Sequence, residues 1–430
     1  MIKQIVQHSS KLIEFLALLQ LSLSKPQMRH VLRITEGVIV SDAPHKTLAR
    51  LYDIMVEAPD VSNGADFLRI SPWSVEEDLR APQRIFVVEE LKRVSEMTGD
   101  RVLYVSIDDS LTDKDPGTRH LEPVDVHHDH TKGSKRKPAY TNGTVHVEVR
   151  LQLAGCAYVF DFALYMREKT VRRLNRKRKK GRRLRFRSKY NLVREILQKL
   201  KQLLPPEFIV YVLFDSWYAS NKLLKYCHRQ GWHVICAIRS NRTLDGIKLS
   251  EWNQRLKHQS YTRVTLTTTD LRKRKYFVRT RMGRLKNVPF DVCVLISKRH
   301  PGDKRPKYFL CTDLSLSAQQ ILSIYQKRWP IEVDNYYVKQ LLGLGDFRVQ
   351  SYEAVEKWFA LVFLAYNFLL WRLHHAPPEA NFKTVADVIR THRQEHARQV
   401  LEAACREALQ WQDTTPVFQR FLCQFEPDLT

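Results

Sequence analysis

The stretch Arg101-Val-Leu-Tyr-Val-Ser-Ile-Asp108-Asp109-Ser110 is a short apolar run that ends in two carboxylates. This pattern predicts a buried strand that carries acidic side chains at its carboxyl end. A second run, Phe208-Ile-Val-Tyr-Val-Leu-Phe214, leads in the same way into Asp215. A predicted helix over 221–230 and a strand over 232–239 follow it and complete a β-α-β unit. The two runs therefore predict an α/β fold with a mixed sheet.

Further strands extend this sheet in both directions along the sequence. Two β-rich runs, 144–153 and 156–165, are separated only by Ala154 and Gly155, which predicts an antiparallel hairpin. Residues 260–313 contain several short strand patterns. Residues 1–98 instead show helical spacing, and Ser74-Val-Glu-Glu77 resembles a capping box. The amino-terminal part is therefore a candidate helical DNA-binding domain, with a plain helical scaffold as an equal alternative.

The composition indicates a globular protein with a polyanionic partner. The 430 residues are 43% apolar and carry a formal charge of +25, which favours nucleic acid or an anionic membrane surface. The longest apolar run, 358–371, is too short to span a bilayer, and we expect no membrane insertion and no secretory signal. Seven scattered cysteines, none in a Cys-x-x-Cys pair, indicate reduced thiols of a cytoplasmic protein.

Residues 167–189 hold the densest basic run in the chain. A solvated linker or a localisation tag would explain such a run, but we favour contact with the DNA backbone. The candidate DNA-binding residues are Arg176, Lys177, Arg178, Lys179 and Lys180.

Near the carboxyl end of the sheet region, Tyr325, Arg328, Glu332 and Lys339 follow one another at helical spacing. On one helix face they would place a carboxylate between two cations and a phenol. Such a face suits a phosphate ligand, because Glu332 can hold a divalent metal while the cations contact phosphate oxygens. A solvated face with i,i+4 ion pairs is the simpler alternative. Pro330 bends or restarts the helix, so the shared face is approximate.

A mixed sheet can bring the predicted strand ends, with Asp108, Asp109 and Asp215, close to Glu332 on a flanking helix. Clustered carboxylates repel one another unless cations neutralise them, and two divalent ions would do so while holding a phosphodiester. Phosphoryl transfer is the chemistry that this cluster favours. His127, His128 and His130 form a weaker candidate, for which a phosphate-facing loop is favoured over metal ligation.

The chain resembles bacterial cut-and-paste insertion-sequence transposases with an RNase H-like DDE catalytic domain, the class marked by Tyr-x2-Arg-x3-Glu-x6-Lys. Tyr325, Arg328, Glu332 and Lys339 match that spacing without a gap. Asp215 matches the second acid, and Asp109 before Ser110 matches the first, with Asp108 as the alternative.

The resemblance implies an RNase H-like mixed sheet flanked by helices, with a β-rich insertion before Glu332. It implies that Asp109, Asp215 and Glu332 hold two Mg²⁺ or Mn²⁺ ions. It also implies that Tyr325, Arg328 and Lys339 contact the terminal DNA strand. The reaction would cut the transposon end and join its 3′-hydroxyl to target DNA. The resemblance allows Trp329 or Trp217 to stack on an unpaired base, and core packing is the simpler role for Trp217.

The expected partners are double-stranded DNA, both terminal repeat and target, and a second copy of the chain in the synaptic complex. We expect no small-molecule substrate and a bacterial, nucleoid-associated location. A catalytically silent DNA-binding relative and an RNase H-like nuclease without strand transfer are the alternative functions.

Residues 387–412 predict an amphipathic helix pair. The predicted division is an N-terminal helical domain (1–98), a first part of the catalytic core (99–245), a β-rich insertion (246–314), a helical second part of the core (315–376) and a C-terminal helical region (377–430).

Overall fold

The computed structural model describes residues 2–129, 132–133, 136–267 and 272–423 of the chain. The amino-terminal part is helical, as predicted, because apolar residues recur at helical spacing and caps separate the segments. Ser74 accepts a hydrogen bond from the backbone N–H of Glu77 and begins a π-helical turn, Val75–Arg80. The helices are α1 (Ser10–Leu18), α2 (Lys25–Val40), α3 (Leu48–Asp53), α4 (Val61–Arg69) and α5 (Ala81–Thr98).

A mixed sheet of ten strands forms the centre of the protein. The strands of the described residues are β1 (Val102–Asp113), β2 (Asp125–Asp129), β3 (Ala139–Leu153), β4 (Cys156–Tyr165), β5 (Ile209–Phe214), β6 (His233–Ile238), β7 (Thr243–Leu244), β8 (Ile247–Lys248), β9 (Thr262–Thr267), β10 (Lys273–Arg284), β11 (Asp291–Lys298) and β12 (Lys307–Cys311). Strands β7 and β8 form a separate two-stranded sheet.

The order of the large sheet is β2-β3-β1-β5-β6-β12-β11-β10-β9, and β4 pairs with β3. Strand β1 runs parallel to β5, and β5 runs parallel to β6. Strand β3 is antiparallel to both β1 and β4. Strands β9 to β12 continue the same sheet beyond β6 through antiparallel pairs. This arrangement confirms the predicted mixed α/β sheet and is consistent with an RNase H-like nuclease fold.

The predicted hairpin is confirmed, and its turn is the expected pair of residues. Ala154 and Gly155 join β3 to β4 with φ angles of 46° and 86°. Two consecutive positive φ angles are typical of the tight turn that suits the twist of an antiparallel pair.

Nine further helices complete the described chain: α6 (Glu168–Asn175), α7 (Lys189–Leu203), α8 (Asn221–Arg229), α9 (Leu249–Arg255), α10 (Ala318–Gln326), α11 (Pro330–Tyr336), α12 (Tyr352–His374), α13 (Val385–Trp411) and α14 (Thr415–Phe421). The prediction of a helix pair over 387–412 is wrong. Thr384 forms a capping box with Asp387 and begins one helix, and no glycine or proline interrupts it before Trp411.

Helices cover both faces of the sheet, and the alternation of β1 shows which side chains meet which layer. Leu103, Val105 and Ile107 point into the core that they share with α7 and α8. Tyr104 points into the opposite core, where Leu213 of β5 packs against α10. The face that carries Tyr104 therefore looks toward α10 and the segment that follows it.

Helix α12 is the central helix of the core, as predicted from its apolar run. Phe363 stacks on Phe162 of β4 with ring centroids 4.8 Å apart. Among the described residues, this helix alone has the length and composition to cross a membrane, and it lies inside the protein.

Candidate active site

The parallel pairing of β1 and β5 places Asp108 and Asp215 side by side at the carboxyl ends of the two strands. Ser106 pairs with Leu213 in this register, so the next positions on the same face are Asp108 and Asp215. The Asp215 Oδ1 atom accepts a hydrogen bond from the backbone N–H of Trp217 at 2.9 Å. This contact holds the carboxylate at the start of the loop after β5.

The helix that carries Glu332 approaches the same end of β1. The segment 325–339 is not one helix: α10 ends at Gln326, α11 begins at Pro330, and residues 337–341 form a π-helical turn. Pro330 begins the new helix at its first position, where the missing N–H costs no hydrogen bond. The prediction of a single continuous face is therefore corrected, although the Pro330 break was foreseen.

Arg328 connects the two acids that the strand and the helix provide. Its Nη2 atom donates to Glu332 Oε1 at 2.5 Å, and its Nη1 atom donates to Asp108 Oδ2 at 3.5 Å. The arginine side chain is 12% exposed, so its charge is largely shielded from water. Arg328 thus joins Asp108 to Glu332, and Asp215 lies beside Asp108 in the register of the sheet.

Asp109 points to the opposite face of β1, because neighbouring residues of a strand alternate. Its Oδ2 atom lies 2.5 Å from Lys189 Nζ at the start of α7, and its Oδ1 atom accepts from the Tyr218 hydroxyl at 2.8 Å. The structure therefore groups Asp108, and not Asp109, with Arg328 and Glu332.

Burial makes ionisation of the two strand acids, Asp108 and Asp215, unfavourable. It raises the pKa of Asp108 to about 7; Asp109 and Asp215 add to the rise, and Arg328 opposes it. Burial also raises the pKa of Asp215, despite the hydrogen bonds that it accepts. A cation at this position would relieve the repulsion, and carboxylate oxygens are the ligands that hard divalent ions prefer. The donor set therefore fits a divalent metal ion.

The other signature residues surround this group. Lys339 Nζ donates to the backbone carbonyl of Leu111 at 2.7 Å, and burial lowers its pKa. The Tyr325 ring packs edge-on against Phe309 with centroids 4.9 Å apart. Trp329 is 52% exposed, beside the cationic and acidic groups.

Sequence reasoning missed a buried acid beside Asp108. Glu148 of β3 is the register partner of Asp108, and its side chain is fully buried. Neither carboxylate oxygen has a hydrogen-bond partner within the part of the chain that the structure describes. Burial, reinforced by Asp334, raises its pKa well above the usual range. The polar residues at every second position of β3, His146, Glu148 and Arg150, were the available signal for a polar inner face.

The basic run is ordered around a short helix, α6, and a 3₁₀ turn, Lys180–Arg182. Four of the predicted DNA-binding residues are exposed: Arg176, Lys177, Lys179 and Lys180. Arg178 differs from the prediction, because its guanidinium lies 2.5 Å from both Glu122 and Glu353 and is 13% exposed. Its contacts are internal ion pairs that fix the run to the protein.

The histidines before the basic run do not come together as a described metal site. His127 lies on β2, and burial lowers its pKa to about 4. His128 is also on β2, where its ring meets Tyr140 edge-on. His130 lies outside the described residues.

Comparison with known protein families gave two matches that overlap on the sheet. A family model described as "DDE superfamily endonuclease" matches residues 20–259, more than half of the chain. A second, described as "Transposase DDE domain", matches residues 163–368. Asp108 and Asp215 lie within the first match, and Asp215 and Glu332 lie within the second. A comparison with curated proteins found no match.

Proposed function

We propose, because the chain belongs to the DDE superfamily of transposases and endonucleases, that it is a DNA transposase with Asp108, Asp215 and Glu332 as its catalytic acids. The reaction is cleavage at transposon ends followed by strand transfer into target DNA, in a cut-and-paste sequence. The observation that carries this proposal is the contact of one half-buried arginine, Arg328, with both Asp108 and Glu332. That contact supports Asp108, the alternative of the sequence prediction, over Asp109.

DDE enzymes generally use divalent metal ions. Here Asp108, Asp215 and Glu332 would hold Mg²⁺ or Mn²⁺ at a two-metal site, which would neutralise the acids and polarise the scissile phosphate. Asp109 supports the site indirectly, since it accepts a hydrogen bond from Tyr218 in the loop after β5 and pairs with Lys189 at the start of α7. Because the pKa of Asp108 is raised to about 7, this acid must release a proton when it binds a cation near neutral pH.

The cationic and aromatic residues of the signature face the DNA in this proposal. In this proposal Arg328 and Lys339 contact phosphate oxygens of the terminal strand. The Tyr325 ring lies against Arg328, with its centroid 5.8 Å from the guanidinium carbon. The exposed indole of Trp329 offers a surface on which an unpaired base can stack.

Backbone contacts and assembly extend the interface beyond the acids. Exposed cations of the basic run bind phosphates without reading sequence, whereas the N-terminal helices (1–98) would contact the terminal repeat. We further propose the division at residues 98, 245, 314 and 376. Because two transposon ends must be joined, we expect a dimer in the synaptic complex.

A nuclease of the same superfamily without strand transfer is the second candidate, since the acids alone serve both reactions. A catalytically silent DNA-binding relative is disfavoured by the same acids. A buried cluster that raises the pKa of Asp108 to about 7 destabilises the folded chain and would have no use without a metal.

The experiment uses a plasmid that carries the DNA flanking this gene on both sides, the full chain and Mg²⁺. We expect double-strand cuts at both flanks and joined products in target DNA. Glu332→Gln and Asp108→Asn should abolish both. Glu379→Gln, which changes an exposed acid in a surface turn, should leave both unchanged. Cutting without joining would instead support the nuclease, and DNA binding without Mg²⁺-dependent cutting would overturn the proposal.

A further inference from the structure

A second group of metal-ligating side chains lies away from the sheet, between α2 and α13. Glu36 of α2 meets His392 and His396 of α13, and one ligand atom of each lies within 4.8 Å of the other two. All three side chains are buried, with exposures of 0%, 0% and 1%. We propose that Glu36, His392 and His396 bind a structural transition-metal ion of the Zn²⁺ class.

The ligand atoms of the three side chains converge on one point, as they do in a metal site. His392 and His396 are four residues apart and share one face of α13. Their Nε2 atoms lie 2.6 Å and 2.9 Å from the same Oε1 atom of Glu36. Tetrahedral Zn²⁺ with bonds of about 2.0 Å requires ligand atoms roughly 3.3 Å apart. Each histidine nitrogen needs to move only about 0.4–0.7 Å away from the glutamate oxygen.

His8 provides a fourth donor next to this group. Its Nδ1 atom lies 3.6 Å from Glu36 Oε2 and has no hydrogen-bond partner among the residues that the structure describes. Two or three imidazoles with one carboxylate are a donor set that suits Zn²⁺. They do not suit Mg²⁺, which prefers oxygen ligands. This difference in ligand chemistry distinguishes the site from the acids at the sheet.

The charge of the group also calls for a cation. Burial alone would raise the pKa of Glu36, but hydrogen bonds with His392 and His396, together with the nearby His8 imidazole, hold it well below its usual range. Burial lowers the pKa of His392. Arg372, which contacts His392, already forms two hydrogen bonds with Glu395. The buried carboxylate of Glu36 therefore faces two imidazole nitrogens, an arrangement that a metal ion stabilises.

The Nδ1 side of His392 faces a guanidinium and, farther away, a carboxylate. Its Nδ1 atom accepts from Arg372 at 2.8 Å and lies 3.7 Å from Glu395 Oε2. A metal on Nε2 would require the proton on Nδ1, so the Arg372 N–H would have to turn away for Nδ1 to donate to Glu395. Glu395 is thus a positioning residue, and Arg372 keeps its ion pair with it.

The ion would connect parts of the chain that are distant in sequence. Glu36 and His392 are 356 positions apart, and both helices pack against α12. A metal here would fasten α13 onto the N-terminal helices. Its contribution would be to stability, so it is measurable without DNA or catalysis.

The test uses the full chain without a polyhistidine tag, stripped of metal with a chelator and then dialysed with Zn²⁺. We expect about one zinc per chain by elemental analysis, a rise in Tm of several degrees with Zn²⁺ and none of that size with Mg²⁺. His396→Gln should lose both the zinc and the Tm rise. Asp215→Asn should keep both, which separates this site from the proposed catalytic acids.

Glu395→Gln provides a variant that folds irrespective of the metal, because its side chain is 43% exposed. It should weaken zinc affinity about 10–100-fold while leaving the metal-free Tm within a few degrees of the parent. Co²⁺ in place of Zn²⁺ should give the visible absorption of a four-coordinate ion in the parent chain. A parent chain that binds less than about a tenth of an equivalent of zinc, with the same Tm in its presence, would overturn the proposal. The group would then be a hydrogen-bonded cluster.

Discussion

Asp108→Asn should make the metal-free protein more stable while it abolishes DNA cleavage. The folded pKa of Asp108 is about 7, against 3.8 for the ordinary side chain. That difference of about 3 units corresponds to at most about 4 kcal/mol of unfavourable ionisation in the folded state. Because the side chain is 21% exposed and water screens its charge, we expect about 2 kcal/mol.

The sign of the effect depends on pH. Since the folded pKa is raised, the folded state holds the proton more tightly, and stability falls as pH rises from about 4 to about 7. The asparagine variant has no such loss. Its free energy of unfolding should equal that of the parent near pH 4 and exceed it by about 2 kcal/mol at pH 8. Urea unfolding in EDTA at the two pH values measures this difference.

Asp109→Asn is the matched control, because it makes the same replacement of a carboxylate by an amide at the neighbouring residue. Asp109 loses its ion pair with Lys189 and a hydrogen bond from Tyr218, so this variant should unfold more easily at pH 8. Addition of Mg²⁺ should stabilise the parent and not Asp108→Asn. The reasoning fails if Asp109→Asn gains the stability, or if Asp108→Asn differs from the parent by the same amount at pH 4 and pH 8.

Three further predictions concern pH, packing and DNA affinity. At low Mg²⁺, cleavage should rise with pH toward about 7 as Asp108 ionises, and higher Mg²⁺ should move this apparent pKa downward, which pH–rate profiles at two Mg²⁺ concentrations can check. Asp161→Asn should lower the free energy of unfolding by about 1–3 kcal/mol in urea titrations, because it removes the buried carboxylate that Arg80 and Arg84 share while Glu76 and Glu356 remain; an unchanged midpoint would contradict this. Lys177→Gln with Lys179→Gln should lower the slope of log affinity against log salt by about 2 for any DNA sequence, and an unchanged slope would remove these residues from the interface.

Local patterns in the sequence were sufficient to predict much of the sheet. The apolar runs before Asp108 and Asp215 indicated buried strands that end in acids, and both strands are present. Ala154 and Gly155 marked the hairpin turn because so short a connection fixes the pairing of its flanking strands. These features depend on residues that are close in the sequence.

The choice between Asp108 and Asp109 could not be made from local patterns. Both follow the same apolar run, and only the pairing of β1 with β5 and the position of Arg328 show which face meets Glu332. The internal role of Arg178 likewise depends on glutamates more than 50 positions away. Side-chain orientation is a property of the assembled layers.

The histidines of α13 show the same limit for metal sites. His392 and His396 have a regular spacing, but their carboxylate partner lies in a helix near the other end of the chain. The sequence offered no Cys-x-x-Cys pair or compact ligand run to point to it. Helix packing brings the three side chains together, so the cluster was visible only after folding.

Anomalous X-ray scattering from a crystal of the full chain soaked in Mn²⁺ would locate the metal directly. We expect Mn²⁺ within about 2.1–2.3 Å of carboxylate oxygens of Asp108, Asp215 and Glu332, with Arg328 displaced from at least one acid. Mn²⁺ bound by Asp109 on the Lys189 side of the strand, or no Mn²⁺ at Glu332, would contradict this expectation.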